Sequence, residues 1–246
     1  MRWLITGGTG TIGRAVASAL HPSKNHIYVM SRDDTKQCAM KMDLPDAYYI
    51  IGDVTRLEDC ERAMLKAKPD RVIHCAALKH VPACEENPEF ATRVNVGGTI
   101  NMLRASYNNS EFTLISTDKA VHPVSVLGFT KALAERHTLE MSGSIVRFGN
   151  VMGSRGSLLA IAKRQIREHG HLLVTHKDMV RYWITDKDAA ISIIRPINRC
   201  EIRVPEMKER LVVNVLKEYF PKAKIKFTEP RFGEKMREEL RWEWEK

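Results

Sequence analysis

Residues 2–14 read RWLITGGTGTIGR, and this stretch decides the predicted fold. Its apolar run, WLI, predicts a buried strand, and the residues that follow the stretch have the apolar spacing of a helix. Between strand and helix lie Gly8, Gly10 and Gly13 in a G-x-G-x-x-G spacing. A turn without side chains lets the backbone approach a pyrophosphate closely, with the phosphates at the helix N-terminus. The alternative is an ordinary tight turn, but a strand before the glycines and a helix after them favour a dinucleotide site.

Strands and helices alternate along the rest of the first 150 residues. Five further apolar runs predict strands at residues 26–30, 48–51, 71–75, 112–116 and 144–147. Helical spacing appears between them, most clearly at 89–107 and 131–140. This alternation predicts an α/β fold with a doubly wound parallel sheet, in which the site lies at the carboxyl ends of the strands.

The pattern loosens after about residue 150 into turns, helices and short strands. We expect residues 1–150 to form the dinucleotide-binding domain and residues 151–246 a small C-terminal substrate lobe, interleaved with the first domain and without a clean linker. Residues 236–246 predict a charged helix that docks on the protein or presents a surface to a partner.

Length, charge and cysteine content limit which classes of protein and partner this chain fits. The length of 246 residues suits one α/β domain with a small lobe, and the net charge is +9. Basic residues alternate with acids, so we expect no nucleic-acid partner, and the cations suit an anionic diphosphate. Five scattered cysteines indicate reduced thiols without disulfides or a metal site. Without an apolar run of membrane-spanning length, and with a strand at residue 2 that leaves no room for a leader peptide, we expect no membrane partner and a cytoplasmic location.

Polar residues follow the second and third predicted strands, where the adenine ribose of a dinucleotide lies. Ser31, Arg32 and Asp33 end the second strand. An arginine there accepts a 2′-phosphate, whereas a carboxylate binds a 2′-hydroxyl, so Arg32 favours NADP and Asp33 leaves NAD open. Asp53, after the third strand, is expected at the adenine edge, or as a helix N-cap near Thr55.

The end of the fifth strand carries the candidate chemistry. Thr117, Asp118 and Lys119 follow one another there, and Lys131 opens the next helix. A lysine above a nicotinamide orients the ribose and, as a local positive charge, favours loss of nearby protons. The alternative for Asp118 and Lys119 is a solvent-exposed ion pair in a loop.

Several motifs in one order make the chain resemble the extended short-chain dehydrogenase/reductases, which have a Rossmann fold, and within them the UDP-N-acetylglucosamine 4,6-dehydratase family. The motifs span nearly the whole chain, so the set is far more specific than any one of them. They are TGGTGTIG at 6–13, SRD at 31–33, GDV at 52–54, AALKHVP at 76–82, STDKA at 116–120, RFGNVMGSRGS at 147–157, RYWIT at 181–185 and RFGEK at 231–235.

The resemblance implies an internal redox cycle on a UDP-sugar. The cofactor takes hydride from sugar C4, a base removes the C5 proton, water leaves from C6, and hydride returns to C6. Carried onto this chain, Lys119 is the base at C5 and Asp118 the acid that assists loss of the C6 hydroxyl. Thr117 would lie near O4 and Lys131 would hold the nicotinamide ribose. A lysine acts as a base only when neutral, so we expect burial or a cationic neighbour to lower the pKa of Lys119.

The resemblance also implies two sets of binding residues and a homo-oligomer formed through the helices predicted at 89–107 and 131–140. The cofactor set is Thr6, Gly7, Gly8, Gly10, Thr11, Ile12, Gly13, Ser31, Arg32, Asp33, Asp53, Val54, Ala76, Ala77, Lys79, Asn95 and Lys131. The substrate set is Lys79 and Asn150 near the sugar or diphosphate, Arg155, Arg181 and Arg231 as a phosphate and uridine clamp, and Glu234 at the ribose.

Two features depart from the family's pattern. The tyrosine expected four residues before Lys131 is Leu127, which transfers deprotonation of O4 to Thr117, Asp118 or water. The chain is also shorter than typical members, so part of the C-terminal lobe is expected to be missing. Two alternatives to a dehydratase therefore stay open, a UDP-sugar epimerase on the same scaffold and a catalytically silent nucleotide-binding protein.

Overall fold

The computed structural model describes residues 1–106, 109–154, 156–229 and 231–245. Twelve strands occur in these residues and form sheets of seven, three and two strands. In chain order the strands are β1 (Arg2–Thr6), β2 (His26–Ser31), β3 (Tyr48–Ile51), β4 (Arg71–His74), β5 (Glu111–Thr117), β6 (Ser144–Phe148), β7 (Asn150–Val151), β8 (His171–Val174), β9 (Val180–Ile184), β10 (Ile202–Arg203), β11 (Lys208–Leu211) and β12 (Lys224–Phe227).

Ten α-helices occur in the same residues. They are α1 (Thr11–Leu20), α2 (Asp34–Asp43), α3 (Leu57–Ala67), α4 (Val81–Glu86), α5 (Pro88–Thr92), α6 (Gly98–Ser106), α7 (Val126–Glu140), α8 (Leu158–His169), α9 (Asp186–Ile194) and α10 (Val212–Tyr219). The single helix predicted at 89–107 is α5 and α6 joined by a π-helical turn at Arg93–Gly97, and Tyr107 lies outside the described residues. The helix predicted at 131–140 begins five residues earlier, at Val126. None of the described helices combines the length and apolar character that crossing a bilayer requires.

The seven-stranded sheet is parallel, with strand order β10-β6-β5-β4-β1-β2-β3. The chain proceeds from β1 outward to β3 and then returns to the other side of β1 for β4. This reversal opens a crevice at the carboxyl ends of β1 and β4, where open α/β sheets bind ligands. The predicted doubly wound α/β fold is therefore confirmed.

Helices cover both faces of this sheet, and β1 shows why its strands are continuously apolar. Trp3 and Ile5 point to the face covered by α1 and α9, whereas Leu4 points to the face covered by α3, α6 and α7. Each is at most 4% exposed, and burying such a side chain contributes about 1.5–3 kcal/mol. Strands that are buried on both faces lack the alternation of half-exposed strands.

Residues after 150 build a smaller lobe and also return to the large sheet. The lobe contains the sheet β11-β9-β7 and the pair β12-β8, which shares an apolar cluster with α8 and α10. Helix α9 packs on α1, and β10 extends the large sheet beside β6. The two expected units thus share elements.

The C-terminal segment, residues 236–245, is not the predicted helix. Only Glu243–Glu245 form a single 3₁₀ turn. The carbonyl of Met236 instead accepts from the backbone N–H of Val180 at 3.0 Å, and the carbonyl of Leu240 accepts from Arg147 at 2.9 Å. The helix prediction was wrong because these backbone groups bond across the structure rather than to residues four positions away.

Candidate functional site

The glycine turn between β1 and α1 leaves no room for side chains. Gly7 has φ +60°, and a Cβ there would lie 2.7 Å from the Cα of Ala76 at the end of β4. A Cβ on Gly13 would lie 2.5 Å from the Cα of Gly8, so helix and turn are in direct contact. A Cβ on Gly10, the N-cap of α1, would lie 3.0 Å from the carbonyl oxygen of Gly7 and near no other described group. Gly7 and Gly13 therefore allow close packing of the turn, and Gly10 leaves the start of α1 open to the cleft.

The turn forms one end of a cleft of about 940 Å³ along the carboxyl ends of the sheet strands. The cleft brings together residues of both predicted sets, from both sides of residue 150. The predicted residues that line it are Gly7, Gly10, Thr11, Ile12, Gly13, Ser31, Arg32, Asp33, Asp53, Val54, Ala76, Ala77, Lys79, Thr117, Lys119, Lys131 and Asn150.

At the ribose end of the cleft, the side chains of Asp33, Asp53 and Arg32 each have a local partner. The carboxylate of Asp33 caps α2 by accepting from the N–H of Lys36 at 2.9 Å and also pairs with its ammonium group. Asp53 accepts from the N–H of Thr55 at 2.9 Å, in a turn that precedes α3 rather than as its N-cap. Arg32, about half exposed, lies 3.4 Å from Asp53. Its guanidinium belongs to the cleft lining and can reach a ligand there.

Three predicted cofactor residues lie beneath the cleft rather than on its surface. The hydroxyl of Thr6 hydrogen-bonds the ring of His74 at 2.8 Å, and Gly8 is buried in the turn. Asn95 is fully buried, accepts from the N–H of Leu78 at 2.7 Å and donates to the hydroxyl of Thr130 at 3.0 Å. Asn95 therefore does not contact the cleft as predicted. Its side chain instead connects the loop after β4 to α7.

Lys131 is buried at the floor of the cleft. Its ammonium group donates to the carbonyl of Ile115 at 2.7 Å, and only 4% of the residue is exposed. Burial lowers the pKa of Lys131 to about 8, although Glu135 one turn later acts in the opposite direction. Leu127, one turn earlier, also lines the cleft and packs with Cys84. The helix therefore presents an amine to the cleft but no phenol.

Asp118 and Lys119 are not an exposed loop pair. Asp118 is fully buried at the end of β5, and its Oδ1 accepts from the Thr117 hydroxyl and the Lys119 ammonium group, each at 3.0 Å. Among the described residues, Oδ2 of Asp118 has no hydrogen-bond partner, and a Cβ on Gly149 would lie 2.9 Å from it. Lys119 lines the cleft with 20% of its side chain exposed. The strand end thus places a hydroxyl, a carboxylate and an amine in contact.

The expected lowering of the Lys119 pKa is wrong for this arrangement. Burial does lower it, but Asp118 and Glu238 oppose burial, and the pKa of Lys119 lies above its ordinary value of 10.5. Glu238 comes from the C-terminal segment, is 2% exposed, and places Oε1 3.4 Å from the Lys119 ammonium group. Two carboxylates therefore hold Lys119 in its charged form.

The predicted arginine clamp is not assembled in the described residues. Arg181 is 7% exposed, lies outside the cleft lining, and donates to the carbonyls of Val180 and Met236. Arg231 and Glu234 also lie outside the lining, where the N–H of Arg231 meets the Glu234 carboxylate at 3.4 Å. Arg155 falls outside the described residues. Arg181 therefore holds the C-terminal segment in place of a phosphate.

Sequence reasoning missed several groups of this site. Ser116 Oγ and Trp183 Nε1 belong to residues that line the cleft, and both atoms are buried without a hydrogen-bond partner among the described residues. Both residues lie within motifs of the sequence, Ser116 in STDKA at 116–120 and Trp183 in RYWIT at 181–185, but neither was assigned a role. Glu238 carried no such signal, since an acid in a run of alternating charges is typical of a solvated helix.

Comparison with known proteins identifies the family of the chain. The family described as "Polysaccharide biosynthesis protein" matches residues 3–246. A Methanocaldococcus jannaschii protein called uncharacterized membrane protein MJ1061 is 36% identical over 96% of this chain and 79% of its own. A Rickettsia akari protein named UDP-glucose 4-epimerase is 35% identical over 96% and 76%. The inverting UDP-N-acetylglucosamine 4,6-dehydratase of Campylobacter jejuni is 33% identical over 96% and 75%.

Solved structures agree in fold. The X-ray structure of Pen from Bacillus thuringiensis superposes with a TM-score of 0.89 at 32% identity and covers 97% of this chain and 80% of its own. DesIV of Streptomyces venezuelae, a dTDP-glucose 4,6-dehydratase with NAD and TYD bound, gives a TM-score of 0.84 at 20% identity over 98% and 88%. The chain belongs to the polysaccharide biosynthesis protein family of extended short-chain dehydrogenase/reductases, which includes nucleotide-sugar dehydratases and epimerases.

Proposed function

We propose that this protein is a UDP-N-acetylglucosamine 4,6-dehydratase that uses tightly held NADP. The observation that carries the proposal is the contact of Asp118 with Thr117 and Lys119 at one strand end. Thr117 and Lys119 line the same cleft as the glycine turn and Lys131, whereas Asp118 is fully buried and lies outside the lining. The name of the Campylobacter jejuni relative supports this substrate, at 33% identity.

The glycine turn fits a dinucleotide. A Cβ at Gly7 would collide with the end of β4, and Gly10 leaves the start of α1 uncovered, so the pyrophosphate would lie on the backbone there. Arg32 would receive the 2′-phosphate of NADP, because Asp33 is already engaged by α2 and Lys36. Lys131 would hold the nicotinamide ribose. When bound, NADP would supply reversible hydride transfer for oxidation at sugar C4 and later reduction at C6.

The proton released from O4 needs an acceptor, since Leu127 offers none. The Thr117 hydroxyl accepts the hydrogen bond of O4–H while it donates to Asp118 at 3.0 Å. Through this hydroxyl the O4 proton passes to the carboxylate of Asp118, which becomes a carboxylic acid. Asp118 then delivers that proton to the C6 hydroxyl, which leaves as water.

Lys119 acts on the neighbouring carbon. Once C4 carries a ketone, the neutral amine of Lys119 takes the acidic C5 proton as the C6 hydroxyl departs, and the ammonium group later returns a proton to C5. Protonation of Asp118 removes one of the two carboxylates that hold Lys119 charged. Transfer of the O4 proton therefore prepares Lys119 for its own step.

The sugar diphosphate would lie near Lys79 and Asn150, both in the cleft lining. The uridine end is assigned to Arg155, Arg231 and Glu234, and Arg181 would join them only if the C-terminal segment moved. The excess of positive charge in the chain favours such a dianionic substrate.

A second candidate, a UDP-sugar 4-epimerase, is favoured by the 35% identity to the Rickettsia akari protein of that name. Both reactions begin by oxidation at C4, and only dehydration uses an acid and a base at C6 and C5.

Purified protein is incubated with UDP-N-acetylglucosamine and the product mass is followed. Lys119→Met is the inactive variant, and Lys24→Met, at an exposed lysine, is its control. Loss of one water supports the dehydratase, whereas unchanged mass with altered stereochemistry supports the epimerase. No turnover by protein that carries cofactor would support the catalytically silent alternative.

A further inference from the structure

Glu238 is a buried acid that the proposed reaction does not use directly. It is 2% exposed, and its carboxylate lies 3.4 Å from the ammonium group of Lys119 and 2.8 Å from that of Lys235. Burial raises the pKa of Glu238, but Lys119, Lys235 and Arg181 outweigh it and hold the pKa below the usual 4.5. Glu238 is therefore an ionised carboxylate beneath the cleft. A buried charge of this kind is costly unless it is paired.

The segment that carries Glu238 is anchored on both sides of it. On the near side Lys235 donates to the carbonyl of Val121 at 2.8 Å, and the carbonyl of Met236 accepts from the N–H of Val180 at 3.0 Å. On the far side Arg147, fully buried, donates to the carbonyl of Leu240 at 2.9 Å. These contacts hold the segment on both sides of Glu238 and place its carboxylate beside Lys119.

The charged groups around Lys119 come from three elements. Asp118 lies beside it at the end of β5, Glu238 reaches it from the C-terminal segment, and Arg181 approaches from β9. The two carboxylates favour the ammonium form of Lys119, whereas burial and Arg181 oppose it. When Asp118 carries the O4 proton, Glu238 is the one carboxylate left among these groups.

We propose that Glu238 is a positioning residue that holds the amine of Lys119 in place and sets the pH at which that amine loses its proton for the C5 step. This inference rests on the proposed function of Lys119 as the C5 base. In the step concerned, the N–H bond of the Lys119 ammonium group breaks, and the proton passes to water in the cleft through the exposed fifth of the side chain. Glu238 stays ionised and keeps its pairing with Lys235. No electron transfer accompanies this step.

The test measures the charge of Lys119 directly, so it does not need turnover. Asp118→Asn imitates the protonated acid, and the ¹³Cε signal of Lys119 is titrated in this background and assigned by its loss in Lys119→Met. Adding Glu238→Gln is expected to lower the titration midpoint of Lys119 by about one pH unit or more. Adding Glu239→Gln, the adjacent and exposed acid, is expected to leave it unchanged. An unchanged midpoint with Glu238→Gln would overturn the inference, whether or not the protein proves to be a dehydratase.

Two further measurements complete the test. If the variant with both Asp118→Asn and Glu238→Gln does not fold, Lys235→Met is used in place of Glu238→Gln. Loss of the Lys235 charge leaves Glu238 with Lys119 as its ammonium partner, so the titration midpoint of Lys119 is expected to rise. An unchanged midpoint would overturn the inference. In the otherwise unaltered enzyme, Glu238→Gln is expected to move the ascending limb of the kcat profile, on which Lys119 loses its proton, to lower pH by a similar amount, whereas KM for the sugar stays within about twofold. A uniform loss of kcat at every pH would show a merely structural role.

Discussion

The guanidinium of Arg147 in β6 donates to the carboxylate of Glu245, 98 residues later, at 2.7 Å. Arg147 is fully buried, and its other carboxylate partner is Glu135 of α7 at 2.6 Å. Glu135 follows Lys131 by one helical turn. The end of the described chain is therefore tied to the helix that supplies the lysine at the cleft floor.

Glu245→Ala is expected to lower the free energy of unfolding by about 3 kcal/mol, because it leaves the charge of Arg147 buried with one partner fewer. Urea unfolding measures the change. Glu243→Ala, an exposed acid two residues earlier, serves as the control and is expected to fall within about 0.5 kcal/mol of the unaltered protein. Equal stability of the two variants would show that Glu245 does not anchor the segment.

Asp118→Asn and Lys119→Met are each expected to lower kcat by about 10²–10⁴-fold, because each removes a proton-transfer group. Bound cofactor should remain, since neither residue belongs to the proposed cofactor set. The measurement is the rate of product formation together with the absorbance of released cofactor. An Asp118→Asn enzyme that retained full activity would contradict the proposed route of the O4 proton.

Arg32→Ala is expected to weaken binding of NADP by about 10–100-fold and to leave NAD nearly unaffected, because one charge-assisted contact to the 2′-phosphate is lost. Titration of the cofactor-free protein with each dinucleotide gives the two affinities. Lys36→Ala is the matched cationic control at the same end of the cleft. Equal losses for NAD and NADP would contradict a 2′-phosphate contact.

Lys131 predicts a dependence of stability on pH. Its pKa is about 8 in the folded protein and ordinarily 10.5, so between these values the unfolded chain binds a proton that the folded protein does not. The free energy of unfolding of the cofactor-free protein should therefore rise as pH increases through this window. Below about pH 8 the folded protein carries the full cost of the buried Lys131 charge. Lys131→Met is expected to stabilise the protein at pH 7 by about 1–3 kcal/mol and to flatten this slope. Chemical unfolding at several pH values measures both the stabilisation and the slope. A Lys131→Met variant that is less stable than the unaltered protein at pH 7 would contradict the proposed cost of burying the Lys131 charge.

Helix α7 also predicts self-association. Phe129 and Leu133, one turn apart, are 58% and 48% exposed, and apolar side chains of this size in one stripe favour contact with another chain. Phe129→Glu is expected to shift the protein toward the monomer in sedimentation velocity. Leu65→Glu, at an exposed apolar residue of α3, is the control and should leave the distribution unchanged. A monomeric unaltered protein would contradict the predicted homo-oligomer.

Local pattern determined most of the fold. The runs of β1 to β6 are apolar because both sheet faces are covered. The glycine spacing marks the turn, in which Gly13 meets Gly8 locally, whereas Gly7 meets Ala76 and Gly8 meets Val29 only in the folded protein. The cleft position follows from the parallel order of the strands, so the sequence by itself located Thr117, Lys119 and Lys131. These features depend on the spacing of apolar residues and glycines along the chain, which a sequence displays directly.

Only the tertiary structure decided the electrostatics of the site. Whether Lys119 is charged depends on Glu238, which lies far along the chain in a segment expected to form a charged helix that docks or faces a partner. The role of Arg181 likewise depends on backbone carbonyls that a distant segment brings to it. Coulomb interactions act through space at a few ångströms, and a one-dimensional pattern does not record which remote carboxylate will be buried beside an amine.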